Sequence, residues 1–125
     1  MEISVMGKQT YKVKVAHLLA CWLVKELGLE KSRCTLTLNA VPGLRKQGSN
    51  GKAGRLGNDI GLVFDSTMGL SRIMTTMAHE MIHVKQLATG KLKYIQKGRK
   101  TLTVWCGKVV DLPYYDCPWE IEAFG

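Results

Sequence analysis

The segment from Leu70 to Ala88 constrains this chain more than any other. Apolar residues recur there at Leu70, Ile73, Met74, Met77, Met81, Val84 and Ala88, the spacing of one buried helix face. The run Asp65-Ser66-Thr67-Met68-Gly69-Leu70-Ser71 supplies candidate N-caps, and Gly90 supplies a stop. A second stripe of Thr76, His79, His83 and Gln86 follows a different face of the same helix, so one face buries in a core while the other lines a cleft. Two of the chain's three histidines fall in the run His79-Glu80-Met81-Ile82-His83. Residues four apart stand one above the other on a helix, so both imidazoles can reach one Zn²⁺. Glu80 lies about 100° further round, which places its carboxylate beside a metal-bound water instead of on the metal. Such a set hydrolyses amide bonds with a zinc-activated water, Glu80 being the general base.

A catalytic zinc site needs three protein ligands and an open position. His17 sits in the apolar stretch from Val13 to Leu27 and reads as a core or helix-edge histidine. Cys117 has the right chemistry, but no spacing pattern supports it. The better source is the C-terminal run Pro118-Trp119-Glu120-Ile121-Glu122-Ala123-Phe124. Pro118 suits a first helical turn, and Glu120 and Glu122 then point about 200° apart, so only one faces the metal. A carboxylate in a helix first turn is also favourable by charge alone, which is the structural reading of Glu120.

His79-Glu80-x-x-His83 followed by a Glu-Ala pair on a later helix resembles the gluzincin metallopeptidases. The layout is also similar to small phage- and bacteria-encoded metallopeptidase-like proteins, through His79 to Gln86 and Pro118 to Ala123. The resemblance implies a minimal zincin-like fold with one catalytic Zn²⁺. Its metal ligands would be His79, His83 and Glu122, the Glu just before Ala, with Glu120 as the alternative. It also implies that the strand before the active helix, Ile60 to Phe64, is an edge strand holding an extended substrate. Larger gluzincins carry an Asp four residues after the ligand Glu. That position falls past Gly125, which leaves Asp111 or Asp116 to support a histidine. Tyr114 and Tyr115 are the nearby candidates for oxyanion stabilisation, with aromatic packing as the alternative for both.

The remaining sequence reads as one α+β domain over residues 1–125, a small mixed or antiparallel sheet packed on an N-terminal helix and the histidine-bearing helix. Glu2 to Val5 and Cys34 to Leu38 read as strands. Tyr11 to Gly28 reads as a helix with Leu18, Leu19, Trp22, Leu23 and Leu27 as its core stripe. Gly43 to Gly57 reads as a glycine-rich basic loop and Asp59 to Asp65 as a strand. Lys91 to Ile95 and Thr101 to Cys106 read as a hairpin around Gly98. The first ten residues lack the apolar stretch of a secretory signal, and the four scattered cysteines contain no CxxC pair. A reducing, cytoplasmic setting is therefore expected. The apolar run from Leu18 to Val24 is too short to span a bilayer.

The net charge of +8 is placed mainly in Arg45, Lys46, Lys52 and Arg55 and around the 91–108 hairpin. It reads first as a solvated surface and second as attraction to nucleic acid or an acidic protein. A similarity to SprT-type proteases, which act on DNA-bound proteins, keeps the second reading open, although those use a downstream third histidine that is absent here. The function expected is therefore a zinc metallopeptidase acting on peptide or protein substrates. The alternative is a non-catalytic zinc-containing basic module that binds nucleic acid or an acidic partner.

Overall fold

The computed structural model describes residues 1–112 and 117–124. Its elements run β1 (Glu2–Met6), α1 (Tyr11–Glu26), β2 (Thr35–Val41), a 3-10 turn (Leu44–Gln47), β3 (Gly51–Leu56), β4 (Asp59–Asp65), α2 (Leu70–Ala88), β5 (Leu92–Lys97), β6 (Lys100–Trp105), β7 (Lys108–Val110) and α3 (Pro118–Phe124). This is an α+β fold, as expected. The first sheet has order β1-β2-β4-β3, with β1–β2 and β2–β4 parallel and β3–β4 antiparallel. The second is an antiparallel ribbon of order β5-β6-β7.

Alternation along β2 and β4 turns Leu36, Leu38, Ile60, Leu62 and Phe64 to one buried face, the period-2 signature of a sheet covered on that side. Helices α1 and α2 cover it. On α2 the buried apolar residues are Ile73, Met77, Met81, Val84 and Leu87, whereas Met74 lies outside the stripe and is exposed. Gly69 is the N-cap, and no side chain caps this helix.

The expected core stripe of α1 is corrected. Its buried residues are Val13, Ala16, Ala20 and Val24. Leu19, Leu23 and Leu27 pack at the margin, and Leu18 and Trp22 face outward at 71% and 57% exposure. The face bearing these small residues is the one buried in the core shared with α2 and the sheet, so the larger apolar residues Leu18 and Trp22 are left on the outer side.

The region 43–57 is also corrected from loop to structure. Glycines and cations there disfavour strand by propensity, yet Gly51–Leu56 pairs residue for residue with Phe64–Asp59. The ladder supplied by β4, closed by a turn at Gly57 and Asn58 with Gly57 at φ +60°, overrides composition. Because β3 covers it, β4 is an interior strand, and the expectation that Ile60 to Phe64 forms the edge is corrected: β3 is the edge on that side. In the ribbon, Cys106 and Gly107 both take positive φ, 50° and 83°, as a two-residue type I′ hairpin between β6 and β7 demands. Among the described residues no helix is long and apolar enough to cross a membrane.

Candidate metal centre

Helix α2 brings His79 and His83 to one face, with ring centroids 4.8 Å apart and planes at 83°. Their Nε2 atoms stand 3.2 Å apart. Helix α3 closes the group with Glu120, whose Oε1 lies 3.0 Å from each Nε2. Among the described residues these three are the only His, Cys, Asp or Glu cluster with metal-binding geometry. Glu120 and His83 are buried, at 6% and 7% exposure.

Glu122, the expected third ligand, lies at Gln86 and Lys91 and not beside the histidines. Trp119 anchors α3: its side chain is buried, its ring packs 6.1 Å from that of Trp105, and its carbonyl accepts from Gln86 Nε2 at 3.0 Å. With Trp119 inward, Glu120 falls about 100° to one side and Glu122 about 60° to the other. The first side meets the histidines. On the second, Glu122 accepts from Gln86 Nε2 at 3.1 Å and pairs with Lys91 at 3.2 Å near solvent. Gln86 and Lys91 hold the Glu122 carboxyl below its usual range, Gln86 contributing most.

Gln86 is the residue whose role sequence reading missed. It is fully buried, and its Oε1 lies 2.7 Å from His83 Nδ1. The amide oxygen can only accept, so Nδ1 carries the proton and the Nε2 lone pair faces Glu120. This is the support that a metal-binding imidazole requires. For His83 an amide three residues along the same helix supplies it. The i, i+3 spacing of His83 and Gln86 was the available signal. Asp111 is exposed. Asp116, Tyr114 and Tyr115 lie outside the described residues. His17 sits on α1 outside the group, and the Cys117 thiol donates to the Leu112 carbonyl at 3.4 Å.

The donor set fits zinc. A tetrahedral ion bound at about 2.0–2.1 Å spaces its donors about 3.3 Å apart, and the three separations here are 3.2, 3.0 and 3.0 Å. Two imidazole nitrogens and a carboxylate oxygen are also ligand types that zinc prefers. Burial, and then the proximity of the second imidazole, push the His79 pKa down, favouring the neutral, metal-binding form.

Glu80 stands beside this group without joining it, its Oε1 4.0 Å from His79 Nε2. Its pKa is pushed up to about 7, first by burial and then by the negative charge of Glu120, against the opposing influence of His83. A carboxylate poised near neutral pH is suited to take and return a proton. Strand β3 passes directly over it. A Cβ on Gly51 would come within 2.9 Å of Thr76 Cγ2 and 3.2 Å of Glu80 Cγ, so only glycine lets the edge strand lie this close. From β5, half-exposed Tyr94 reaches the same neighbourhood: its phenol pKa is raised by partial burial and then by the charges of Glu120, Glu80 and Cys117. Comparisons with protein-family models, with curated proteins and with solved structures found no match to this chain.

Proposed function

We propose that this protein is a zinc-dependent metallopeptidase whose ligands are His79, His83 and Glu120 and whose general base is Glu80. The observation that carries the reading is the convergence of two Nε2 atoms and one carboxylate oxygen at tetrahedral spacing, with a second buried carboxylate alongside. The resemblance of the His79–His83 and Pro118–Ala123 segments to gluzincins adds support.

Bound at this site, zinc would supply Lewis acidity, polarising a substrate carbonyl and acidifying a water near neutral pH. The chain's own residues do the rest. Glu80 takes the proton of the attacking water and returns it to the leaving amine. Gln86 fixes the tautomer and orientation of His83. The free edge of β3 offers backbone groups to an extended peptide by β-augmentation, and Gly51 brings that edge to Glu80. This reassigns to β3 the substrate-holding role expected of Ile60 to Phe64.

Metal content and turnover test the reading together. The parent should bind one zinc per chain, Glu120→Ala and His83→Ala should lose it, and Glu122→Ala should keep it. Glu80→Gln should retain zinc and lose hydrolysis of unstructured protein substrates. No zinc uptake by the parent, or unchanged turnover in Glu80→Gln, refutes it. The rival, a non-catalytic basic zinc module, draws on the cationic ribbon. A structural site would instead be closed by four protein ligands and has no use for a buried carboxylate such as Glu80.

A further inference from the structure

Strand β3 and helix α2 run alongside each other away from the metal centre. Gly51 lies over Thr76 and Glu80, and four residues later Arg55 reaches the carbonyl of Leu87. Four strand residues span about 13 Å and the helical step from Glu80 to Leu87 about 11 Å, so the two elements keep pace. At the far end, between the tip of the β3–β4 hairpin, the C-terminus of α2 and the start of β5, lies a cavity of about 400 Å³. Its walls include Arg55, Leu87, Leu92, Lys93 and Tyr94.

Two cations face this cavity, and neither has a carboxylate within ion-pair distance among the described residues. Arg55 is held rigidly by neutral acceptors: Nε donates to the Gly57 carbonyl at 2.7 Å, Nη1 to the Leu87 carbonyl at 2.8 Å and Nη2 to Asn58 Oδ1 at 3.3 Å. Its position is fixed while its charge is not cancelled by a counter-ion. The stem of Lys93 arches back over Gly90, with Cε 3.5 Å from where a Cβ on that glycine would stand. The helix C-terminus offsets only about half a unit charge, so the pair remains net positive. The ribbon behind it deepens the field, since residues 91–110 contain six cations and no Asp or Glu.

We infer that this cavity is a substrate subsite selecting an acidic side chain, Asp or Glu, three or four residues from the scissile bond. The inference rests on the peptidase reading. Arg55 stands about 13 Å along β3 from Gly51, which lies over Glu80, and an extended peptide covers that distance in three or four residues. A peptide laid along the β3 edge with its reactive carbonyl at the metal therefore delivers a side chain three or four residues away to Arg55 and Lys93. The apolar floor at Leu87 and Leu92 takes its methylenes.

Binding and cleavage test this separately. Fluorescent peptides would differ only in carrying Glu, Gln or Lys at the third and fourth residues from the central bond. The Glu peptide should bind zinc-loaded Glu80→Gln protein about tenfold more tightly than the Gln peptide, the combined worth of two partly exposed ion pairs, and the Lys peptide should bind weakest. The order should weaken with salt, collapse in Arg55→Met and reverse in Lys93→Glu. Equal binding of the three peptides, with parental turnover intact, overturns the subsite alone. Failure of the parent to take up zinc or cleave any peptide instead strikes the peptidase reading. If a DNA duplex binds tightly through Lys97, Arg99 and Lys100 while the three peptides bind alike, the charge serves nucleic acid and the proposal is wrong.

Discussion

Replacing Gln86 with Leu isolates the support of the metal centre from the ligands themselves. The Gln86 side chain is fully buried. It makes three hydrogen bonds, with His83 Nδ1 at 2.7 Å, the Trp119 carbonyl at 3.0 Å and Glu122 Oε1 at 3.1 Å. Leucine is of similar size, so no cavity term enters. The cost comes from leaving the His83 N–H and the Trp119 carbonyl unpaired in the interior, about 1–3 kcal/mol for each. Exposed Glu122 can turn to water at little cost. The metal-free protein should therefore lose about 3 kcal/mol of stability in denaturant unfolding. Zinc affinity, read by competition with a chromophoric chelator, should fall about 10–100-fold because the His83 ring is no longer oriented.

Gln86→Glu is the control. Its carboxylate still accepts from His83 Nδ1–H but cannot donate to Trp119 and sits beside Glu122. It should lose stability while holding zinc at least as tightly as the parent. If Gln86→Leu binds zinc with parental affinity, the assignment of Gln86 as the residue that sets the His83 tautomer is wrong.

Two further predictions concern Glu80 and the strand above it. The Glu80 pKa is raised from 4.5 to about 7 in the folded protein, so its ionised form is disfavoured by folding. Below about pH 4.5 both states are protonated and the cost vanishes; it grows as pH rises and is complete above pH 7. In the metal-free protein, Glu80→Gln should accordingly be more stable than the parent at pH 8, by about 2–3 kcal/mol, and equal to it near pH 4. A difference independent of pH in thermal melts across that range would show that burial of Glu80 is not the cause. Gly51→Ala would drive a methyl group to within 2.9 Å of Thr76 Cγ2 and 3.0 Å of the Val63 carbonyl. It should cost about 1–3 kcal/mol of stability and lower kcat with zinc still bound. Unaltered unfolding and turnover would mean that β3 can move off α2 freely.

Local pattern made much of the molecule legible. The apolar repeat from Ile73 to Val84, the glycine stop after α2, the alternation of β2 and β4 and the turn at Gly98 all lie within a few residues of one another in the chain. Their physics is local as well, because helical and strand periodicities decide which side chains share a face. The same periodicity sets His79 beside His83 with Glu80 off to one side, so the facing imidazoles and the adjacent carboxylate were legible from spacing alone.

Tertiary contacts decided the rest. Strand β3 exists because β4 offers a ladder, and nothing in Gly51 to Leu56 signals it. Residues Leu18 and Trp22 were expected inside, yet α1 buries the face of Val13, Ala16, Ala20 and Val24 and leaves them toward solvent. Which carboxylate meets the histidines turned on the phase of a seven-residue helix. Glu120 and Glu122 both neighbour an apolar position, and their sequence surroundings do not separate them. What separates them is Trp119, pinned between Trp105 and Gln86, which rotates one carboxylate to the histidines and the other to Lys91. Spacing along a chain determines which groups can share a face. Only packing between elements distant in sequence sets which way that face points, because a helix as short as α3 takes its rotation from what it is packed against.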